Sequence, residues 1–255
     1  MILDPTTWPR RLTVNCALML SVIAASSKTI DAADAIVPIR VLLVTGGHGF
    51  KREPFLQMLR DDELIEFQEA ENGASAKAFE RDDLSSYDVF LLYNMTQNIT
   101  DRQKENFLHA IDRGVGLVVL HHALVSYQQW PEYERIIGGR YPEDQKHRGK
   151  VTPALGYRHD VDVPKTIVAK RHPITQGLEN FVIRDEIYWG YRVSQDVTPL
   201  IATTHAESGN PLGWVRQEGD ALIVFIQLGD SPTAYRNPNY RRLLSQSIQW
   251  ANNRR

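Results

Sequence analysis

The chain has 255 residues, 42% of them hydrophobic and 24% charged, with a formal net charge of -2 and a single cysteine. That length supports one full hydrophobic core. With neither a basic excess nor a long Lys/Arg run, the sequence carries no electrostatic footprint for nucleic acid.

Residues 1–35 read as an export signal. Arg10 and Arg11 supply the positive start, Leu12 to Ala25 is mostly apolar, and Ala33-Asp34-Ala35 fits a small-residue cleavage site. The apolar stretch is shorter than the about 20 residues of a membrane span, so no integral membrane domain is expected; an uncleaved anchor is the alternative. The expected location is therefore exported, periplasmic or extracellular. Cleavage after Ala35 also removes Cys16. The remaining chain, 36–255, is read as one α/β domain without a disulfide, thiolate ligand or thiol nucleophile.

Ile39 to Val44 is continuously apolar, as suits a first strand buried on both faces. Pro54 fits the first turn of a helix in which Phe55, Leu56 and Leu59 face inward. Leu64 to Ala70 is a second strand candidate, Ala74 to Phe79 a short helix, and Tyr87 to Tyr93 a third strand. Thr100 and Gln103 have capping-box spacing. The helix they open buries Phe107, Leu108 and Ile111, and stops at Gly114. Val115 to Leu120 is a fourth strand ending at His121-His122. From Gly149 to Leu200 the chain turns β-rich, which predicts an extension of the sheet or an antiparallel flap. Ala221 to Gln227 is a late core strand, and Asn237-Pro238 opens a last helix with Tyr240, Leu244 and Ile248 on one face. The alternation predicts a doubly wound, largely parallel α/β sheet with a β-rich extension.

In such sheets ligands bind beyond the carboxyl ends of the strands. Three polar groups follow predicted strand ends: His48, His121-His122 and Asp230. Gly46, Gly47 and Gly49 around His48 permit positive φ and close backbone approach. Their N–H groups could hold an anion or a sugar oxygen, although the spacing is neither a P-loop nor G-x-G-x-x-G; the plainer reading is a tight turn with a surface histidine. Adjacent residues leaving a strand point to opposite sides, which leaves one of His121 and His122 for the cleft. Asp185-Glu186 is a paired-carboxylate candidate, or a charged loop before a strand. Tyr188, Trp189 and Tyr191, with Trp130 and Tyr133, offer faces suited to a sugar ring. His109, His147, His172 and His205 read as surface or structural histidines, and His159 has no assigned role.

The stretches "VLLVTGGHGF", "YDVFLLYNMTQNITDRQKENFLHAIDRGVGLVVLHHA", "WPEYERIIGGRY", "HPITQGL", "DEIYW" and "GNPLGWVRQEGDALIVFIQLGD" occur in that order from Ile39 to Ala251. Together they resemble the ThuA-like family, named for trehalose utilisation. The resemblance implies a flavodoxin-like fold close to the class I glutamine amidotransferases. Their nucleophilic cysteine sits at a sharp strand-to-helix turn, where this chain has "VVLHHA". Cysteine-dependent amidotransfer is thereby excluded. By motif, the family's functional positions fall on His48, His121, Glu186 and Asp230. Asp230 stands where related sequences often read histidine after Leu-Gly, and His147 lies near a His-Pro position of relatives.

These residues predict an exported carbohydrate-active enzyme, a hydrolase or lyase acting on a disaccharide or glycoside, or on its 3-keto derivative. His121 or His48 would be the base, with Glu186 or Asp230 as proton donor or orienter. Gly47, His122, Tyr188 and Trp189 would contact the saccharide. A divalent metal such as zinc could join through His48, His121 and Asp230. The alternatives are a non-catalytic sugar-binding protein with a degenerate amidotransferase-like site, and a scaffold. The oligomeric state is not legible.

Overall fold

The structure is a computed structural model, which describes residues 37–143, 152 and 154–252. The export-signal reading and His147 lie outside the described residues. Among the described residues five helices accompany the strands: α1 (Arg52–Arg60), α2 (Asp101–Asp112), α3 (Pro131–Ile137), α4 (Pro232–Arg236) and α5 (Pro238–Ala251). None of the described helices is long and apolar enough to cross a membrane.

The parallel part of the sheet is built from β1 (Ile39–Gly46), β2 (Ile65–Glu71), β3 (Val89–Asn94), β4 (Gly116–Leu120) and β11 (Ala221–Ile226). Residues of β1 alternate between two cores. Val41 and Leu43 join the core that holds α1, α4 and α5, while Leu42 and Val44 join the one that holds α2 and α3. Burial on both faces is why the strand reads as a continuous apolar run. The order β2-β1-β3-β4-β11 then continues into four antiparallel strands, β10 (Gly213–Glu218), β9 (Thr198–Thr203), β6 (Gly156–Ile167) and β7 (Phe181–Trp189). The predicted α/β class and β-rich extension are thus both present. A small sheet pairs β5 (Gly139–Arg140) with β8 (Arg192–Val193).

Local chemistry accounts for the element ends. The capping box forms, with Thr100 Oγ1 accepting from Gln103 N–H and the Gln103 side chain accepting from Thr100 N–H. Gly114, at φ +83°, closes α2 with N–H bonds from Gly114 to Ile111 and from Val115 to Ala110, the pattern of a left-handed helix stop. Asn237 caps α5, whose Tyr240, Leu244 and Ile248 are buried together. Two expectations need correction. The helix expected at Ala74–Phe79 is only a 3₁₀ turn, Lys77–Glu80; six residues make too few bonds to offset helix nucleation. Leu108 is only partly buried, at the edge of the face set by Phe107 and Ile111.

Parallel strands all end on the same side, so β1, β3, β4 and β11 deliver their carboxyl ends to one edge. β7 reaches that edge too, because buried Asp185 accepts N–H bonds from Gly229 (2.8 Å) and Asp230 (3.0 Å), in the loop after β11.

Candidate active site

The chain leaves β4 through an abrupt turn. His121 has φ +50°, a left-handed conformation rare for a residue with a side chain, and a 3₁₀ turn follows from His121 to Val125. An extended exit would have sent His121 and His122 to opposite sides. The kink instead sets the two rings edge to face, 5.4 Å apart; of the two, His122 lines the cavity and His121 lies buried behind it, in keeping with the expectation that one faces the cleft.

His121 is 1% exposed. Its Nδ1 lies 2.6 Å from the backbone carbonyl of Gln227. A carbonyl can only accept, so Nδ1 carries the proton. Nε2 lies 2.8 Å from Glu186 Oε2, 3.0 Å from Tyr188 Oη and 3.6 Å from Asp230 Oδ1. Burial pulls the His121 pKa down, but hydrogen bonding to Asp230 and Glu186, with the nearby carboxylate charges, outweighs it and lifts the value to about 10. His121 is therefore an imidazolium at neutral pH in this arrangement and does not fit the role of base. Burial raises the Asp230 pKa, and its contacts with His121 and His159 overcome that and lower it to about 2.

Asp185 and Glu186 divide their work, as neighbours on a strand with opposite orientation do. Asp185 accepts three backbone N–H bonds, from Glu186, Gly229 and Asp230, and ties the two loops together. Burial pushes its pKa up, against the field of His121 and those three bonds. Glu186 faces His121.

His159 joins the group from β6. Arg158 pairs with Ile187 and Val161 with Asp185, so His159 and Asp160 together oppose the single residue Glu186. This bulge, with Asp160 at φ +58°, re-aims the strand. His159 Nδ1 stands 3.2 Å from Glu186 Oε1 and 3.4 Å from Asp230 Oδ2. The alternating polar sequence of β6 hid this role, because a bulge is defined by the partner strand's count as much as by its own.

His48 lies outside that cluster. Its exposed ring stacks on His122, with centroids 4.6 Å apart. His122 is buried, its Nε2 3.3 Å from the Tyr93 carbonyl and its Nδ1 without a hydrogen-bond partner among the described residues. Burial, then the positive fields of His121 and His48, hold its pKa well below the usual imidazole value. His48, His122, Tyr157, His159, Glu186 and Tyr188 line a cavity of about 320 Å³, to which Gly47 also contributes. That size is at the lower end of the roughly 300–1,000 Å³ typical of small-molecule sites. Of the metal set expected from sequence, His121 and Asp230 are together, and Glu186 occupies the place expected for His48.

Several aromatic expectations change. Trp189 points away from this cavity. Its Nε1 donates to the Thr152 carbonyl at 2.9 Å, and it borders a separate depression of about 730 Å³. That space is larger, but among the described residues no histidine lines it; its charged pair, Arg158 and Glu207, bond to each other. The smaller cavity is the one with convergent acid–base groups. Trp130 and Tyr133 are core residues, 6% and 1% exposed. Tyr191 bonds the Pro211 carbonyl. His172 and His205 each accept a local backbone N–H bond, and His109 is exposed on α2.

A family model described as "ThuA: Trehalose utilisation" matches residues 40–251. No curated protein matches the sequence. Among solved structures, a ThuA-like protein from Parabacteroides merdae is 20% identical, with a TM-score of 0.72 over 84% of this chain and 90% of its own. A second from Bacteroides uniformis is 16% identical, with a TM-score of 0.57 over 85% and 93%. A β-galactosidase from Rahnella sp. R3 is 12% identical, with a TM-score of 0.56 over 84% of this chain but 32% of its own. At these identities the likeness is one of fold.

Proposed function

This chain belongs to the ThuA family, associated with trehalose utilisation, and from that premise we propose that it is an exported enzyme cleaving a disaccharide or glycoside in its 3-keto form. The observation that carries the reading is the convergence of His121, Glu186, Asp230 and His159 beside a cavity rimmed by His48. The basic-then-apolar leader supports export.

A ketone acidifies the C–H bond beside it. His48, exposed at the rim, takes the proton from the carbon between the ketone and the anomeric centre. The released electron pair forms a carbon–carbon double bond, and the glycosidic C–O bond breaks. His159 gives the leaving oxygen its proton. Water then adds across the double bond. Glu186 and Asp230 orient His159, and buried His121 holds positive charge beneath the reacting region, where a low-polarity setting strengthens its effect. Relative to the sequence-based assignment, His121 changes from base to fixed charge.

Incubation with trehalose, an unmodified glycoside and 3-keto glycosides, followed by mass spectrometry in deuterated water, tests this. Expected are cleavage of the 3-keto substrate and one deuterium on the carbon beside the carbonyl. Absence of turnover on all of them, with and without added divalent metal, sinks the proposal; saccharide binding without turnover supports a binding protein instead.

A further inference from the structure

One ligand-capable atom from each of His121, Glu186 and Asp230 falls in a group whose members all lie within 4.8 Å of one another. The nearest approaches to His121 Nε2 are 2.8 Å for Glu186 and 3.6 Å for Asp230. Ligand atoms held about 2.1 Å from a tetrahedral ion stand about 3.4 Å apart. We propose that His121 Nε2, Glu186 and Asp230 are the protein ligands of one divalent first-row transition ion, with its fourth position open to the cavity.

The surroundings fit such a centre. His121 Nδ1 is fixed 2.6 Å from the Gln227 carbonyl, which sets the ring and directs Nε2 at the carboxylates. Imidazoles that bind metals are oriented this way by their second nitrogen. An ion and the Nε2 proton are alternative occupants of the same position. His159 meets the other oxygen of each carboxylate, Glu186 Oε1 and Asp230 Oδ2, and so serves as an outer partner. Asp185 fixes the backbone of the Asp230 loop. Three protein ligands with one position left open is the pattern of a catalytic rather than a structural site. One nitrogen and two carboxylates, without a thiolate, suit zinc, manganese or iron(II) better than a soft ion such as copper(I). Binding of the ion is independent of the sugar chemistry; its use, polarising the carbonyl of the bound 3-keto sugar, rests on the function proposed above.

The full chain, stripped with chelator and dialysed, is titrated with zinc by calorimetry and with cobalt(II) by visible absorption. One equivalent of zinc is expected, and a cobalt spectrum of four- or five-coordinate type. Asp230→Asn and Glu186→Gln should each lower zinc affinity by more than the ~100-fold that loss of an outer partner costs. Circular dichroism establishes that each variant is folded. Absence of zinc binding to the wild-type chain, or unchanged affinity in both folded variants, overturns the site. The cobalt spectrum needs no variant, and a spectrum identical to aqueous cobalt also overturns it. One equivalent of zinc without turnover of any glycoside leaves the ion and removes the reaction. Turnover that persists with no metal bound leaves the reaction and overturns the ion's use in it.

Discussion

His159 Nδ1 stands 3.2 Å from Glu186 Oε1 because two residues of β6 occupy the space opposite one residue of β7. The contact belongs to the bulge. Counted back from the Val161–Asp185 pair, a regular strand would put Asp160 opposite Glu186 and His159 opposite Ile187. His159 is exposed, so its removal leaves little unfilled space. His159→Ala should lower kcat on the accepted glycoside by roughly 10²–10⁴-fold, the range for losing a general acid, with Tm nearly unchanged. Equal activity in steady-state kinetics would remove His159 from the proton path.

His121→Ala leaves Glu186, which is 4% exposed, without its buried cationic partner. Breaking a buried ion pair from one side costs about 3–5 kcal/mol. Urea denaturation of the metal-free protein should show a loss of that order. A loss below about 1 kcal/mol would mean that water reaches the carboxylates and screens them.

Lys165 is 1% exposed on β6, and its Nζ has no hydrogen-bond partner among the described residues. Burial lowers its pKa from 10.5 to about 7, against the pull of the Asp185 carboxylate. Between those two values the unfolded chain binds a proton that the folded chain lacks. Stability from this residue therefore rises with pH across that window, by at most about 1.4 kcal/mol per pH unit, and is flat below the folded value. Lys165→Met should stabilise the protein most below pH 7 and flatten the rise, as read by denaturant unfolding at several pH values. An unchanged slope would show that Lys165 stays charged in the fold.

Gly47 has φ +77°, and a Cβ there would stand 2.6 Å from the Met95 carbonyl carbon. Neither the angle nor the clash can be relieved without moving the loop that presents His48. Gly47→Ala should cost about 1–3 kcal/mol of stability and weaken saccharide binding at the same time. Thermal unfolding and calorimetry check the two effects separately; a fully stable variant would show that the loop can shift.

The framework was legible where one physical signal dominates. Continuous apolar runs marked β1, β3, β4 and β11, and Thr100 with Gln103 marked the start of α2. The strand-end rule brought His48, His121 and Asp230 to one edge, although 109 residues separate the last two. Three features were not legible. His159 depends on a bulge that involves the partner strand. The orientation of His122 depends on one left-handed residue before it. The charge on His121 depends on burial next to carboxylates distant in sequence. Trp189 was misjudged for a related reason: strand alternation sends it to the other side from Tyr188, and side-chain type alone does not say which side holds the cavity.

Asp185 is 2% exposed, and its carboxylate ties the strand that carries Glu186 to the loop that carries Asp230. Those three bonds hold the two backbone segments from which Glu186 and Asp230 project at a fixed separation. The spacing of the two acids around His121 is thus set by the backbone that Asp185 holds rather than by their own side chains.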